Sequence, residues 1–378
     1  MKHQHKNISR RLAAAMMAGA MMVSMVGMTA FAATDQGDIS FEKKLTISGT
    51  TYAPNVTFDY SIAAGTPVNA TANTPEIKAG VGVDDISIGD AAFTSTTPVI
   101  NGSTSVNVAV DFSNVTFSEP GIYRYIITET PADDTANPDI VDDTNATRYM
   151  DVYVVNPDEG DSNYKIDHVV LLQEAATISQ SEDGTYKYVD SDGAEITGKS
   201  TGYTASYTTY DLELKKVITG DMATMGDEFD FTINLSGGDS GEMFSYNDKV
   251  YTFDENGEVS ITGIRLGNNE TVIITGIPSD IDYEIVENIS RTEGYTTMAT
   301  VKKGNDGTET SAVVTASDNA QTVATQNKSQ QTDYVVVTNT KDAVSPTGIA
   351  MTIAPYAIMV VAAAGVAFLF LRRRHSEF

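Results

Sequence analysis

Apolar and polar residues alternate through most of the chain between residues 33 and 341, the period of a strand with one buried face. The clearest instance is Leu212-Glu213-Leu214-Lys215-Lys216-Val217-Ile218-Thr219-Gly220. Its phase puts Leu212, Leu214, Lys216 and Ile218 on one face, which is apolar except for the lysine. Lysine rarely points into a core alone, because burying an unpaired ammonium is costly. The anomaly recurs twice. Glu287 is in phase with Tyr283 and Ile285, and Asn339 with Val335 and Val337. On spacing alone, these are either three unrelated edge residues with solvated tips or the three parts of one covalent reaction.

The pattern is duplicated. Ile39-Ser40-Phe41-Glu42-Lys43-Lys44-Leu45 repeats the Lys216 strand, with Ile39, Phe41, Lys43 and Leu45 together. Val56–Ile62 reads as one strand and corresponds to Phe229–Ile233, while Gly121–Glu129 matches the Glu287 strand with Tyr125, Ile127 and Glu129 in phase. The repeat has a long period, which divides the chain into domains over 33–208 and 209–341. Their joint, Thr208-Thr209-Tyr210, is short enough to hold them end to end. No segment of useful length between Ala33 and Lys341 has helical periodicity, so the expected class is all-β, with two tandem sandwiches.

The ends carry a different signal. Residues 1–32 have a basic start, a Met- and Ala-rich apolar run and Ala30-Phe31-Ala32, a secretory signal expected to be cleaved between Ala32 and Ala33. Residues 342–378 hold Val344-Ser345-Pro346-Thr347-Gly348, an apolar run over Ile349–Leu371 and Arg372-Arg373-Arg374. That run is long enough to cross a bilayer as a hydrophobic helix with its arginines in the cytoplasm. A plain anchor has no need of Pro-Thr-Gly just outside the membrane; a transpeptidase signal does.

Composition narrows the rest. A net charge of -27 repels nucleic acid and anionic lipid. There is no cysteine, so the exported chain is not stapled by disulfides. Of four histidines only His168 lies in the body of the chain, a poor basis for a hydrolase triad. Asp190-Ser191-Asp192-Gly193 lacks calcium-loop spacing and reads as a hairpin turn, so no metal or cofactor is expected.

With the signal, the paired Lys43 and Lys216 strands, the paired Glu129 and Glu287 strands, Asn339, and the tail with Ile353-Ala354-Pro355-Tyr356, the chain resembles the Gram-positive backbone pilins built from streptococcal-type isopeptide-linkage domains. The resemblance implies Ig-like (CnaB-type) sandwiches and a Lys216–Asn339 isopeptide bond assisted by Glu287. It also implies a sortase acting at Thr347, with other pilin subunits, peptidoglycan and a host surface ligand as partners. Its function would be structural rather than enzymatic, a monomeric wall-anchored adhesin being the alternative. Lys187 and Lys199 are candidate acceptors of the next subunit. Two residues depart from the pattern. Ser345 stands where proline or valine is usual, and Ala205 stands where the first domain should have its asparagine, leaving Lys43 and Glu129 without an electrophile.

Overall fold

A computed structural model gives the architecture and describes residues 31–32, 39–132, 139–157, 163–182, 184–288, 294–314, 320–329 and 331–343. Within these the alternation becomes strands, and the only helical element is the 3₁₀ turn Val83–Asp85.

The first domain uses β1 (Ile39–Ser48), β2 (Tyr60–Ala64), β3 (Ser103–Asp111), β4 (Gly121–Glu129), β5 (Thr147–Val155), β6 (Lys165–Leu172) and β7 (Gly202–Thr208). One sheet runs β6–β5–β4–β2, with Ile77–Ala79 also on β4 and Phe31–Ala32 at the β6 edge. The other runs Ile140–Val141, β7, β1, β3, Ser87–Ile88. The inward residues of β1, from Ile39 to Ile47, are all buried, and they meet Tyr125 and Ile127 of β4 in one core.

The second domain uses β8 (Tyr210–Thr219), β9 (Phe229–Ser236), β10 (Glu258–Leu266), β11 (Thr271–Ile277), β12 (Ile281–Asn288), β13 (Thr296–Lys303), β14 (Ala320–Ser329) and β15 (Asp333–Thr340). One sheet centres on β11–β8–β15–β13; the other runs β10–β9–β12–β14. Its core is separate from that of the first domain. In both domains the first and last strands are parallel neighbours, β1 with β7 and β8 with β15.

Two features differ from the sequence reading. Val56–Ile62 is not one strand. Val56–Phe58 pairs with Ala91–Phe93, the chain breaks at Asp59, and β2 joins β4. The Asp59 carbonyl at the break accepts the Thr130 N–H, so its polar backbone is satisfied where the chain changes partner. β4 is also buried on both faces over much of its length, because the hairpin of Thr177–Gln180 and Tyr186–Val189 belongs to a satellite core over its outer side. There Arg124 is bound to Asp151 by two hydrogen bonds of 2.7 Å, the fork geometry that a buried arginine needs.

Only Thr209 separates β7 from β8. Across the joint Asn55 Nδ2 donates to the Ser240 carbonyl at 3.0 Å, and the Met243 N–H to Ser95 Oγ at 3.2 Å. The expected signal segment through residue 30, Ala33 and the whole Val344, Ser345, Pro346, Thr347, Gly348 segment lie outside the described residues.

Candidate functional site

In the second domain the three polar residues singled out by phase converge on one point between the sheets. Lys216 comes from β8, Asn339 from β15 and Glu287 from β12 on the opposite sheet, and each is 0 % exposed. Lys216 Nζ donates to Glu287 Oε1 at 2.8 Å, and Asn339 Nδ2 donates to the same oxygen at 2.9 Å. The register explains the meeting. Asn339 lies opposite Ile218, two residues beyond Lys216 and on the same face, so the parallel strands place amine and carboxamide side by side.

The surroundings of the amine are aromatic. Lys216 Nζ lies 4.4 Å from the Phe229 ring centre and 5.7 Å from that of Phe231. Burial pulls the lysine pKa down to about 8, against the opposing pull of Glu287. Glu287 Oε2 accepts from Gln321 Nε2, which also donates to Thr297 Oγ1 at 2.9 Å. Asn339 Oδ1 is buried with no hydrogen-bond partner among the described residues.

The first domain repeats the arrangement with one part missing. Lys43 on β1 is 0 % exposed and lies 2.8 Å from each carboxylate oxygen of Glu129 on β4. Its Nζ lies 3.8 Å from the Phe58 ring centre and donates to the Thr204 carbonyl on β7 at 3.3 Å. Burial lowers the Lys43 pKa and raises that of Glu129. Ala205 is buried opposite Leu45, two residues beyond Lys43, and bears no carboxamide.

Tyr60 and Gln321 escape the sequence reading. Tyr60 OH donates to Glu129 Oε2 at 2.7 Å. A tyrosine on an apolar face reads as ordinary core, and only its cross-strand position opposite Glu129 marks it. Gln321 lies in a strand of small and polar residues with little hydrophobic signal.

The remaining candidates are dispersed. Asp190 caps its own turn by accepting the Asp192 and Ala194 N–H groups at 2.9 Å, a structural use of the carboxylate. His168 contacts Asp167 at 2.7 Å and stacks on Tyr153. Lys187 pairs with Glu195 at 2.8 Å at the surface, whereas partial burial lowers the Lys199 pKa.

Residues 39–187 match the family described as Spy0128-like isopeptide containing domain, and 210–341 match Domain of unknown function (DUF7601). A curated pilin of Streptococcus pyogenes serotype M1 is 26% identical over 342 residues, covering 85% of this chain and 86% of that protein. The pilus tip adhesin Cpa of Streptococcus pyogenes is 32% identical over 146 residues, which span 37% of this chain and 18% of the adhesin. Among solved structures, the major pilin of Streptococcus pyogenes shares the fold with a TM-score of 0.57 at 20% identity, over 82% of this chain and 100% of that one. The T3.2 major pilin of the same species gives a TM-score of 0.56 at 22% identity, over 82% of this chain and 99% of that one. On these matches the chain is similar to a streptococcal pilin over most of its length and shares the fold of the major pilins, and residues 39–187 match the Spy0128-like isopeptide containing domain.

Proposed function

We propose that the chain is a pilus subunit whose second domain closes a Lys216–Asn339 isopeptide bond, and that sortase links it to further copies through Thr347. The observation that carries the reading is the single Glu287 oxygen that receives both the amine and the carboxamide in a fully buried core. A depressed lysine pKa makes the nucleophilic free amine accessible near neutral pH. Nζ attacks the Asn339 side-chain carbonyl carbon. The new C–N bond replaces the C–Nδ2 bond, and ammonia leaves. Glu287 carries the proton from the amine to the leaving nitrogen, and in its protonated form it donates to Oδ1 once the amide turns over. That contact gives the orphaned Oδ1 the partner it lacks. Fixed geometry supplies what free amide and amine in water do not have, an effect worth several kcal/mol at least. The reaction occurs once per chain and has no substrate.

The bond would tie the first strand of the domain to the last. In the chain-entropy model, a cross-link closing a loop of this size stabilises by roughly 5 kcal/mol. Tension entering at Tyr210 and leaving past Lys341 would then run through a covalent link instead of shearing the parallel strands apart.

Anchoring follows from the tail: sortase takes the Thr347 carbonyl and passes it to an amine of another subunit or of peptidoglycan. Of the two candidate acceptors, Lys199 is partly buried, which lowers its pKa, and Lys187 pairs with Glu195 at the surface. The adhesin relative keeps a second reading in play, a monomer on the wall that binds a host surface. Blotting wall extracts separates the two. A ladder of high-mass species supports the polymer, and a single band the monomer.

A further inference from the structure

We infer that Gln321, clamped by Thr297, is a positioning residue for the Lys216–Asn339 reaction, holding one oxygen of Glu287 so that the other is reserved for the amine and the carboxamide. This rests on the reading of the second domain just given. A buried carboxylate needs partners for both oxygens, so a donor on Oε2 by itself would be ordinary packing. The arrangement around that donor gives it a function.

The two domains treat their carboxylates differently. Lys43 lies 2.8 Å from each oxygen of Glu129, and Tyr60 shares one of them, so the lysine straddles the group. In the second domain the oxygens have separate tasks. Lys216 Nζ and Asn339 Nδ2 meet at Oε1, at 2.8 and 2.9 Å, and Gln321 Nε2 takes Oε2.

Gln321 is itself fixed. A carboxamide nitrogen carries two hydrogens, and both are engaged, one on Glu287 Oε2 and one on Thr297 Oγ1 at 2.9 Å. Gln321 on β14 is the cross-strand partner of Glu287, and Thr297 on β13 is the cross-strand partner of Asn339. Both are buried. Their hydrogen bonds therefore close an arch between the sheets, from the carboxylate on one to the strand beside the reacting carboxamide on the other. That arch sets the gap across which Lys216, Glu287 and Asn339 have to meet.

The arch also decides which carboxamide reacts, since two of them flank Glu287. Asn339 shares Oε1 with the amine, whereas Gln321 is tethered through its nitrogen on the other oxygen. With Oε2 occupied by a neutral donor, the proton that Glu287 relays is carried on Oε1, between Nζ and the leaving Nδ2. It moves from the amine to the departing ammonia through that one atom, and no bond of Gln321 is made or broken.

The test follows bond closure in the full chain, made by cell-free synthesis and sampled at intervals after translation is stopped. Intact mass and tandem mass spectrometry of tryptic digests are read for wild type, Q321L, T297V, T297S and N339A, with circular dichroism to check folding. Q321L should close the Lys216–Asn339 bond about 100-fold more slowly than wild type, the loss expected when a reacting group is misplaced by about 1 Å. T297V, which keeps the shape of threonine without its hydroxyl, should also be slow, and T297S, which keeps the hydroxyl, should be close to wild type. N339A should leave Lys216 in a linear peptide. Folded Q321L and T297V that close as fast as wild type overturn the inference and leave the second-domain reading intact. If Q321L does not fold, the comparison of T297V with T297S decides. A branched peptide joining Lys216 to Gln321 in any variant also overturns it, by making Gln321 an electrophile. A wild type with no Lys216–Asn339 branch at any time removes the second-domain reading and this inference with it.

Discussion

Asn339 and Ala205 occupy the same place in their two domains: each lies on a last strand opposite the residue two beyond a buried lysine. Two sites of one geometry therefore differ at the one side chain that can accept an amine. The first prediction is unequal resistance. The first domain should melt at the lower temperature in calorimetry and be cut first by trypsin, and N339A should remove most of the second domain's advantage, roughly 5 kcal/mol. A first domain that outlasts the second in both assays would contradict this.

The Lys43–Glu129 pair gives a second test. Removing one member of a buried pair leaves an uncompensated charge, so E129A should destabilise the first domain by about 3–5 kcal/mol. The double variant K43M/E129L replaces both with apolar groups and should recover most of that loss, since such replacements are often neutral or stabilising. Urea unfolding of the variants checks it, and a double variant no better than E129A would argue that packing rather than charge dominates.

The joint between the domains should respond to pH. Tyr207 OH donates to Glu242 at 3.3 Å, and the Ser279 N–H donates to Asp139 at 3.2 Å, each across the joint. Burial raises Glu242 to about 7 and Asp139 to about 6, with Asp139, Asp239 and Asp280 adding repulsion among them. A carboxyl whose pKa is raised in the docked state opposes docking as it ionises. The cost is absent below the ordinary carboxylate pKa, grows as pH rises, and is complete above the raised value. Domain docking should therefore be tighter near about pH 5 than near about pH 8. Small-angle scattering at the two pH values should show the more extended or variable arrangement at the higher one, and E242Q/D139N should abolish the difference. An equal response in that variant would locate the effect elsewhere.

Much of the site was legible because a strand repeats every second residue, so a lone lysine, glutamate or asparagine among inward apolar positions stands out without any structure. That logic found Lys43, Glu129, Lys216, Glu287 and Asn339. It does not see contacts made by residues that look at home. Tyr60 is one apolar-face aromatic among many until β2 pairs with β4, and the break at Asp59 that permits this pairing lies within an unbroken alternation. Alternation also assigns Arg124 to a solvent face, whereas the satellite hairpin buries it against Asp151. Glu242 and Asp139 were out of reach because their meeting depends on how two domains are joined, not on the pattern within either.

Release from the wall tests the tail. If sortase cleaves between Thr347 and Gly348 as proposed, the mature protein ends at Thr347 in an amide. Peptide mapping of wall-released protein should find no peptide from Ile349–Leu371, and T347A should leave the tail in place and remove the polymer ladder. Recovering those apolar peptides from wild-type wall material would favour a plain membrane anchor.

The covalent bond itself is tested most directly by the intact mass of the full chain, compared with that of E287A, with the cross-link located by tandem mass spectrometry. Wild type should be lighter than its sequence mass, after signal removal, by one ammonia, with Lys216 and Asn339 in one branched peptide, and E287A should show the full mass. A wild-type chain at full mass, with Lys216 recovered in an ordinary linear peptide, would contradict the account.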